Sequence, residues 1–292
     1  MTKPIEIVVL SGKGGTGKTS VTAGFADLST DAVFCDADVD AANLALVLSP
    51  EEMERHSFIA SSQAFVDPSE CVECGLCGQL CRFDAACPGI IDDLSCEGCG
   101  LCARACPSGA IEMRPVVSGE WFISSTEKGP LVHARLGPGE ENSGRLVALV
   151  RQKAREVAIN GSRRLIITDG PPGIGCPVIA SLSNAAAALL VTEPSLTAIH
   201  DLKRALSLCE RFGVPAYCVI NKHDIHEDNS KRIEDMSGPR FRVIGRIPFD
   251  EEVPKSMALG LPVTRTGGRA AESIRAIWNE VLKTVDGLST TD

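Results

Sequence analysis

A glycine-rich stretch, SGKGGTGKTS, follows the apolar run IEIVVL near the start of the chain. Its residues 12–19 fit the phosphate-loop pattern G-x-x-x-x-G-K-S/T, which links a strand to a helix. Glycines allow backbone N–H groups to curl around phosphate oxygens, and the N-terminus of the following helix adds positive potential. Lys18 is predicted to reach the β- and γ-phosphates, and Thr19 to bind Mg²⁺. The residues predicted to contact the nucleotide here are Gly12, Lys13, Gly14, Gly15, Thr16, Gly17, Lys18, Thr19 and Ser20.

Eight of the 13 cysteines form two units of the pattern C-x2-C-x2-C-x3-C, which begin at residues 71 and 96. This tandem pattern resembles bacterial ferredoxins, in which three thiolates of one unit and the fourth of the other hold each 4Fe–4S cluster. The resemblance implies one cluster on Cys71, Cys74, Cys77 and Cys106, and another on Cys81, Cys96, Cys99 and Cys102. Zinc is the alternative, because four-cysteine zinc sites also use C-x2-C. Cys87 is interpreted as a spare thiol.

The elements that must position these residues are short apolar, β-branched runs, which indicate buried strands. Helix-like segments separate the strand-like runs IEIVVL, AVFCDADVD, RLIITD, AALLVTE and AYCVINK. Strands that alternate with helices favour a parallel sheet. The predicted fold class is therefore α/β, a P-loop NTPase with a mostly parallel sheet flanked by helices. We also predict a small inserted α+β domain like that of a bacterial ferredoxin.

The composition changes between residues 60 and 114, where Cys, Gly and Pro crowd together. Nucleotide motifs fall on both sides of this segment, which indicates one domain interrupted by an insertion. The predicted boundaries are 1–59 and 115–292 for the two parts of the ATPase domain, and 60–114 for the ferredoxin-like domain. The insertion holds eight carboxylates against three arginines. This surface suits a basic redox partner, or it is only a solvated acidic face.

The bulk composition excludes several classes of partner. The net charge of −9 and an aromatic content of 4% argue against binding of nucleic acid. No apolar run approaches the ~20 residues that a membrane-spanning helix needs, and the first residues lead directly into a strand. We therefore expect a cytoplasmic protein with no membrane partner, whose many cysteines bind metal and do not form disulfides.

The motif GKGGTGKT resembles the deviant phosphate loops of the MinD/ParA and nitrogenase iron protein superfamily. In that superfamily the first lysine of the motif, here Lys13, crosses a dimer interface and neutralises developing charge on the partner's nucleotide. The resemblance implies ATP as the nucleotide, and a nucleotide-dependent homodimer or a heterodimer with a related ATPase. The alternative is that Lys13 stays near the phosphates of its own subunit.

Further motifs match the same superfamily. Asp36-Ala37-Asp38 resembles the first switch, where Asp36 lies near Mg²⁺ and Asp38 positions the attacking water. Asp169 ends a Walker B strand as a further Mg²⁺ ligand, and Gly173 in the second switch senses the γ-phosphate. The resemblance also implies two contacts to the base, Asn221 and Pro248. It makes Lys13, Lys18 and Asp38 the catalytic residues.

The first function that these motifs suggest is ATP hydrolysis coupled to electron transfer through the two clusters, with a redox protein as partner. The alternative is an iron–sulfur cluster carrier or scaffold in metallocofactor assembly. MinD-like positioning at a membrane is disfavoured by the end DGLSTTD, and ATP-dependent ligation rests on analogy alone. Cys176 lies where the nitrogenase iron protein has a cluster ligand, so it is either a metal ligand or a small packed thiol.

Overall fold

The structure is a computed structural model that describes residues 3–137, 140 and 143–289. These residues form two compact units. The larger unit contains residues 3–56, 121–136 and 143–289, and the cysteine-rich unit contains residues 57–120, 137 and 140.

The strands are β1 (Ile5–Ser11), β2 (Ala32–Asp36), β3 (Glu51–Val66), β4 (Ala86–Cys87), β5 (Ile90–Ile91), β6 (Ile111–Thr126), β7 (Gly129–Leu136), β8 (Leu165–Pro172), β9 (Ala187–Thr192), β10 (Ala216–Asn221) and β11 (Phe241–Ile247). Nine of them form one sheet in the order β11-β10-β9-β1-β8-β2-β7-β6-β3. The neighbours from β11 to β7 are parallel. The predicted α/β fold with a mostly parallel sheet is therefore confirmed.

The helices are α1 (Lys18–Leu28), α2 (Leu44–Leu48), α3 (Leu76–Leu80), α4 (Leu101–Ala105), α5 (Ser143–Asn160), α6 (Cys176–Leu182), α7 (Leu196–Arg211), α8 (Glu227–Glu234), α9 (Glu252–Ala258), α10 (Val263–Thr266) and α11 (Arg269–Ser289). Two apolar clusters cover the sheet. One joins α1 and α11, where the rings of Phe25 and Trp278 lie 5.3 Å apart, and the other joins α6 and α7. The strands are continuous apolar runs because helices cover both faces. No helix in the described ranges is long and apolar enough to cross a bilayer.

A buried ion-pair network fastens α5 to the sheet. Glu6 on β1 accepts hydrogen bonds from Arg151 Nε at 2.7 Å and Arg155 Nε at 3.0 Å. Thr168 on β8 donates a further bond to Glu6 at 2.9 Å, and Arg151 also binds the carbonyl of Ser183 after α6. Glu6 and Arg151 are almost fully buried, so loss of either charge would leave the other buried without a partner.

In the cysteine-rich unit the two sequence repeats fold alike. Helices α3 and α4 both begin after a left-handed glycine, Gly75 with φ 75° and Gly100 with φ 71°. Both end at an extended cysteine, Cys81 and Cys106 respectively. Between the repeats, β4 and β5 pair as a short antiparallel hairpin. The internal repeat is therefore structural as well as a spacing of cysteines.

Candidate functional site

The phosphate loop lies between β1 and α1, at the carboxyl ends of the parallel strands. Gly15 and Gly17 have φ of 79° and 88°, which only glycine adopts without cost. A Cβ on Gly17 would also collide with the side-chain amide of Asn221. That amide donates to the carbonyl of Thr16 at 2.8 Å, so the end of β10 is fixed to the loop.

Lys18 lies at the centre of a cluster of carboxylates. Its Nζ is 3.0 Å from Asp169 and 3.4 Å from Asp38, and only 6% of its side chain is exposed. Burial works to lower the pKa of Lys18, but the carboxylates of Asp169 and Asp38 outweigh it, so that pKa is raised. Lys18 therefore stays charged in this environment, as a phosphate-binding lysine must.

Two hydroxyl groups hold the carboxylate of Asp169 in place. Thr19 donates to Oδ2 and Thr22 to Oδ1, each at 2.8 Å. The hydroxyl of Thr19 and the carboxylate of Asp169 are oxygen donors of the kind that Mg²⁺ prefers, and Thr19 borders the phosphate cavity. The structure thus brings together two of the three residues predicted to bind Mg²⁺.

The third predicted Mg²⁺ residue, Asp36, is held differently. Its two oxygens accept the backbone N–H groups of Asp38 at 3.2 Å and Leu44 at 3.0 Å. Burial first, and then the nearby carboxylate of Asp169, raise the pKa of Asp36 well above its ordinary value. These bonds hold the segment predicted to be the first switch, and the Mg²⁺ role of Asp36 stays a prediction.

Asp38, unlike Asp36, borders the cavity at the phosphate loop. Burial raises the pKa of Asp38 against the attraction of Lys18, and the carboxylate of Asp169 adds to the rise. A carboxylate with a raised pKa is a better base near neutral pH. This environment suits the predicted role of Asp38 in positioning water.

Two adjoining cavities have the size of a nucleotide site. A cavity of about 570 Å³ is bordered by the phosphate loop, by Asp38 and Asp40 of the first switch, and by Pro171 and Pro172 of the second. A second cavity of about 290 Å³ lies beside Gly15 and Gly17. It is bordered by both residues predicted to contact the base, Asn221 and Pro248.

A backbone hydrogen bond joins Gly173, in the predicted second switch, to the end of β1. Its N–H donates to the carbonyl of Ser11 at 2.9 Å, and its φ is 90°. This left-handed glycine directly follows β8, in the segment predicted to be the second switch. Gly173 itself does not border either cavity, so phosphate sensing by this residue stays a prediction.

Lys13 is paired within its own subunit. Its Nζ lies 2.6 Å from Glu193 and 3.5 Å from the hydroxyl of Ser195. Lys222 binds the other oxygen of Glu193 at 3.3 Å. Burial alone would raise the pKa of Glu193. The hydrogen bonds and charges of Lys13 and Lys222 outweigh burial, so the pKa of Glu193 is lowered. The predicted reach of Lys13 into a partner subunit is not tested by this arrangement.

The first set of predicted cluster ligands borders one cavity. Cys71, Cys74, Cys77 and Cys106 all lie at its wall, although they come from both sequence repeats. In the second set, Cys96 and Cys99 lie close enough to Cys102 to contribute to its raised pKa, of which burial is the largest cause. Cys81 is placed at the end of α3, in the position that Cys106 has in α4.

The chemistry of these cysteines decides which metal group they fit. Within the described part of the chain, no three His, Cys, Asp or Glu side chains are placed so that they could hold a metal ion. Four-thiolate sets suit 4Fe–4S clusters and zinc alike, so the choice between them stays a prediction. Thiolate donors are also the ligands that such clusters require.

Cys176 is exposed and begins α6 just after the second switch. Gly144 of α5 lies against it, since a Cβ there would be 3.4 Å from Cys176 Cβ. The remaining cysteines of the larger unit, Cys35, Cys209 and Cys218, are buried. Their pKa values are raised chiefly by burial, so they are packed thiols.

Sequence reasoning missed two polar residues of the site. Thr22 lies one helical turn after Lys18 and orients Asp169. Glu193 directly follows β9 and binds both Lys13 and Lys222. A carboxylate directly after the strand AALLVT was the available signal for Glu193. No local signal marked Thr22, whose partner is distant in the sequence.

Comparison with known proteins agrees with this geometry. A family model described as the CobQ/CobB/MinD/ParA nucleotide binding domain matches residues 7–263. An uncharacterized protein of Methanocaldococcus jannaschii is 30% identical over 281 residues, which cover 95% of this chain and 96% of that protein. An iron–sulfur cluster carrier protein of Pyrococcus horikoshii is 25% identical over 279 residues, which cover 88% of this chain and 78% of that one.

Among solved structures, the septum site-determining protein MinD of Pyrococcus horikoshii in complex with Mg-ADP has a similar fold. The TM-score is 0.60 at 18% identity, and the superposition covers 99% of this chain and 100% of that chain. At this identity the likeness concerns the fold alone. Since the family match extends from β1 to α10, the protein belongs to the CobQ/CobB/MinD/ParA family of P-loop nucleotide-binding proteins.

Proposed function

We propose that this protein is a nucleotide-dependent iron–sulfur cluster carrier, which hydrolyses a nucleoside triphosphate and holds clusters, its cargo, on the cysteine-rich unit. The observation that carries the proposal is the single cavity bordered by Cys71, Cys74, Cys77 and Cys106. Relatives named iron–sulfur cluster carrier proteins support this function over electron transfer, which the sequence alone suggested first.

The exposure of the cysteines supports transfer of the cargo. None of the eight predicted ligands is buried, and Cys74 and Cys99 are exposed. Ligand exchange requires that an incoming thiolate reach the site. A cluster bound by accessible cysteines is therefore open to an acceptor protein.

The nucleotide is proposed to control this transfer. The two switches, at Asp38 and at Gly173, lie at the phosphate loop, so their positions depend on the phosphates. Coupling requires that the nucleotide bind the loaded and the empty protein with different affinity. We infer that a nucleotide-dependent homodimer provides the two states, with Lys13 at its interface.

The test is anaerobic transfer of cluster from the reconstituted protein to an apo-ferredoxin, with and without Mg²⁺ and nucleotide. We expect the rate of transfer to change when the triphosphate is present, and to lose this dependence in Lys18→Ala. The matched control is Lys203→Ala, an exposed lysine on α7. If the clusters never leave the protein, with or without nucleotide, the proposed carrier function is refuted.

Electron transfer is the second candidate, and the second set of cysteines favours it. Two neighbouring cluster sites in one small unit would permit electrons to pass between them. This function predicts clusters that stay bound through repeated reduction and reoxidation, and a hydrolysis rate that differs between oxidised and dithionite-reduced protein. Metal analysis of the same samples separates both candidates from zinc.

A further inference from the structure

The two predicted cluster sites of the cysteine-rich unit share one ligand pattern but differ in their surroundings. Each site takes three cysteines from one repeat and the fourth cysteine from the other. The first set is Cys71, Cys74, Cys77 and Cys106, and the second set is Cys81, Cys96, Cys99 and Cys102. Because the two repeats have the same spacing, a residue beside the first set has a counterpart beside the second. The two sites can therefore be compared position by position.

The first set borders a cavity whose wall is largely apolar. The apolar side chains at this wall are those of Val66, Val72, Leu76, Pro88, Pro107 and Ile111. They come from the end of β3, the start of the first repeat, the turn between β4 and β5, the end of the second repeat and the start of β6. An apolar shell of this kind limits the access of solvent to metal ligands.

One leucine of this wall has an exposed counterpart in the second repeat. Leu76 begins α3, between two cysteines of the first set, where it is half-buried and borders the cavity. Leu101 begins α4, between two cysteines of the second set, but it is 46% exposed. The same residue type therefore helps to enclose the first set and faces solvent beside the second.

The hairpin of β4 and β5 packs tightly on the first repeat. A Cβ on Gly78 of α3 would lie 2.9 Å from the carbonyl oxygen of Ala86 on β4, so this contact requires glycine. The turn of the same hairpin borders the cavity through Pro88 and Gly89. The counterpart of Gly78 in α4 is Ala103, which carries the methyl group that the contact at Gly78 excludes. The close contact with the hairpin thus belongs to α3.

The fourth ligands of the two sets also differ. Ser108 Oγ lies 3.6 Å from Cys106 Sγ, and the hydroxyl is the donor when the sulfur is a thiolate. Such a charge-assisted hydrogen bond stabilises the thiolate as a ligand. The residue that follows Cys81 at the same distance is Phe83, whose side chain has no donor. This position therefore supports the fourth ligand of the first set alone.

We propose that the second set is the exchangeable site, from which the cargo leaves, and that the first set retains its cluster. This inference rests on the proposed carrier function and specifies which site serves it. In exchange, an incoming thiolate forms a bond to iron as a ligand thiolate leaves and takes up a proton from solvent, without transfer of electrons. The apolar wall hinders this approach at the first set. Leu76 and Ser108 are positioning residues for the retained cluster.

The first experiment follows the loss of iron from the anaerobically reconstituted full-length protein to an excess of a ferrous chelator, bathophenanthroline disulfonate. We expect two phases, each with about half of the iron. Their rate constants should differ about tenfold or more, as for sites with different surroundings. The cluster absorption should decay with the same two phases. Loss of all the iron in a single phase would overturn the inference.

The second experiment assigns the phases with matched leucine variants. Leu76→Ala should speed the slow phase about tenfold, because it opens the wall of the cavity. Leu101→Ala removes the exposed counterpart and should leave the slow phase unchanged. If Leu101→Ala speeds the slow phase and Leu76→Ala does not, the retained cluster lies on the second set and the inference is wrong.

A milder pair of variants gives the same assignment if Leu76→Ala does not fold. Ser108→Ala removes one exposed hydroxyl and should speed the slow phase severalfold. Phe83→Ala changes the counterpart of Ser108 and should leave the slow phase unchanged. Circular dichroism checks the folding of each variant. A slow phase that is unchanged in Ser108→Ala and faster in Phe83→Ala would overturn the inference.

Transfer to an apo-ferredoxin separates the site assignment from the function on which it rests. We expect the acceptor to take about half of the iron, with the kinetics of the fast phase. If it takes all the iron at one rate, the inference is overturned and the carrier function stands. If it takes none while the chelator resolves two phases, the carrier function is refuted, together with the role of the second set in releasing cargo.

Discussion

The amine of Lys13 lies 2.6 Å from Oε1 of Glu193, so the first lysine of the phosphate loop is paired within its own subunit. Lys222 holds the other oxygen of Glu193 at 3.3 Å and also contacts the carbonyl of Gly15. The ion pair thus joins the phosphate loop to the ends of β9 and β10. If Lys13 is to reach a partner's nucleotide, this pair has to open first.

We expect Glu193→Gln to speed nucleotide hydrolysis at low protein concentration, because the pair no longer holds Lys13 in its own subunit. The gain should be about fivefold at most, since a partly exposed ion pair contributes up to ~1 kcal/mol. The measurement is the hydrolysis rate as a function of protein concentration.

Two further variants make this prediction specific. Glu227→Gln, an exposed glutamate on α8, should leave the rate unchanged. The double variant Lys13→Ala/Glu193→Gln should show no gain over Lys13→Ala. A gain that persists without Lys13 would mean that Glu193 restrains another group, such as Lys222.

The motifs that could be predicted from the sequence are those whose residues are close in the chain. The phosphate loop needs glycines and a lysine at fixed spacing, and both cysteine repeats carry their pattern within a few residues. Glu193 was not predicted, because its partner Lys13 is 180 residues away and no local pattern encodes that contact. The same holds for the bond from Thr22 to Asp169.

We expect the rate of hydrolysis to fall as the solution is acidified. The midpoint of this fall should lie above pH 3.8, the ordinary pKa of an aspartate. Burial raises the pKa of Asp38, so this group takes up its proton at a higher pH than an exposed aspartate does. The active carboxylate is therefore lost as the pH falls through this raised value. The measurement is the pH profile of kcat, with folding followed by circular dichroism.

Asp38→Asn should lower kcat about a hundredfold or more and remove the acidic fall in the residual rate. The companion variant is Asp40→Asn, which changes an exposed carboxylate at the border of the same cavity. It should keep the acidic fall. If Asp38→Asn retains the same profile, another carboxylate controls the pH dependence, and Asp36 is then the first to examine.

We expect Glu6→Gln to destabilise the protein by about 3 kcal/mol, because it leaves the charge of Arg151 buried without its partner. The measurement is the free energy of unfolding in urea. Asp31→Asn is the comparison, since Asp31 pairs with Arg163 on the surface and should cost less than ~0.5 kcal/mol. A small effect of Glu6→Gln would mean that the bonds from Thr168 and Arg155 suffice.

The last prediction concerns the assignment of cysteines from both repeats to each cluster. We expect the reconstituted protein to hold about eight iron atoms, as two 4Fe–4S clusters require. Cys106→Ala should remove one cluster, because Cys106 borders the cavity of the first repeat. Cys87→Ala should remove none, since the spare thiol lies on β4 and does not border that cavity. Iron and sulfide analysis with absorption spectra provides the measurement.

Double variants test which cysteines ligate the same cluster. Cys71 and Cys106 border the same cavity, so Cys71→Ala/Cys106→Ala should lose no more iron than either single variant. Cys71→Ala/Cys96→Ala should lose both clusters, because these two residues are assigned to different sites. If the first double variant loses all its iron, as the second does, each repeat binds its own cluster. The cavity would then have only a structural role.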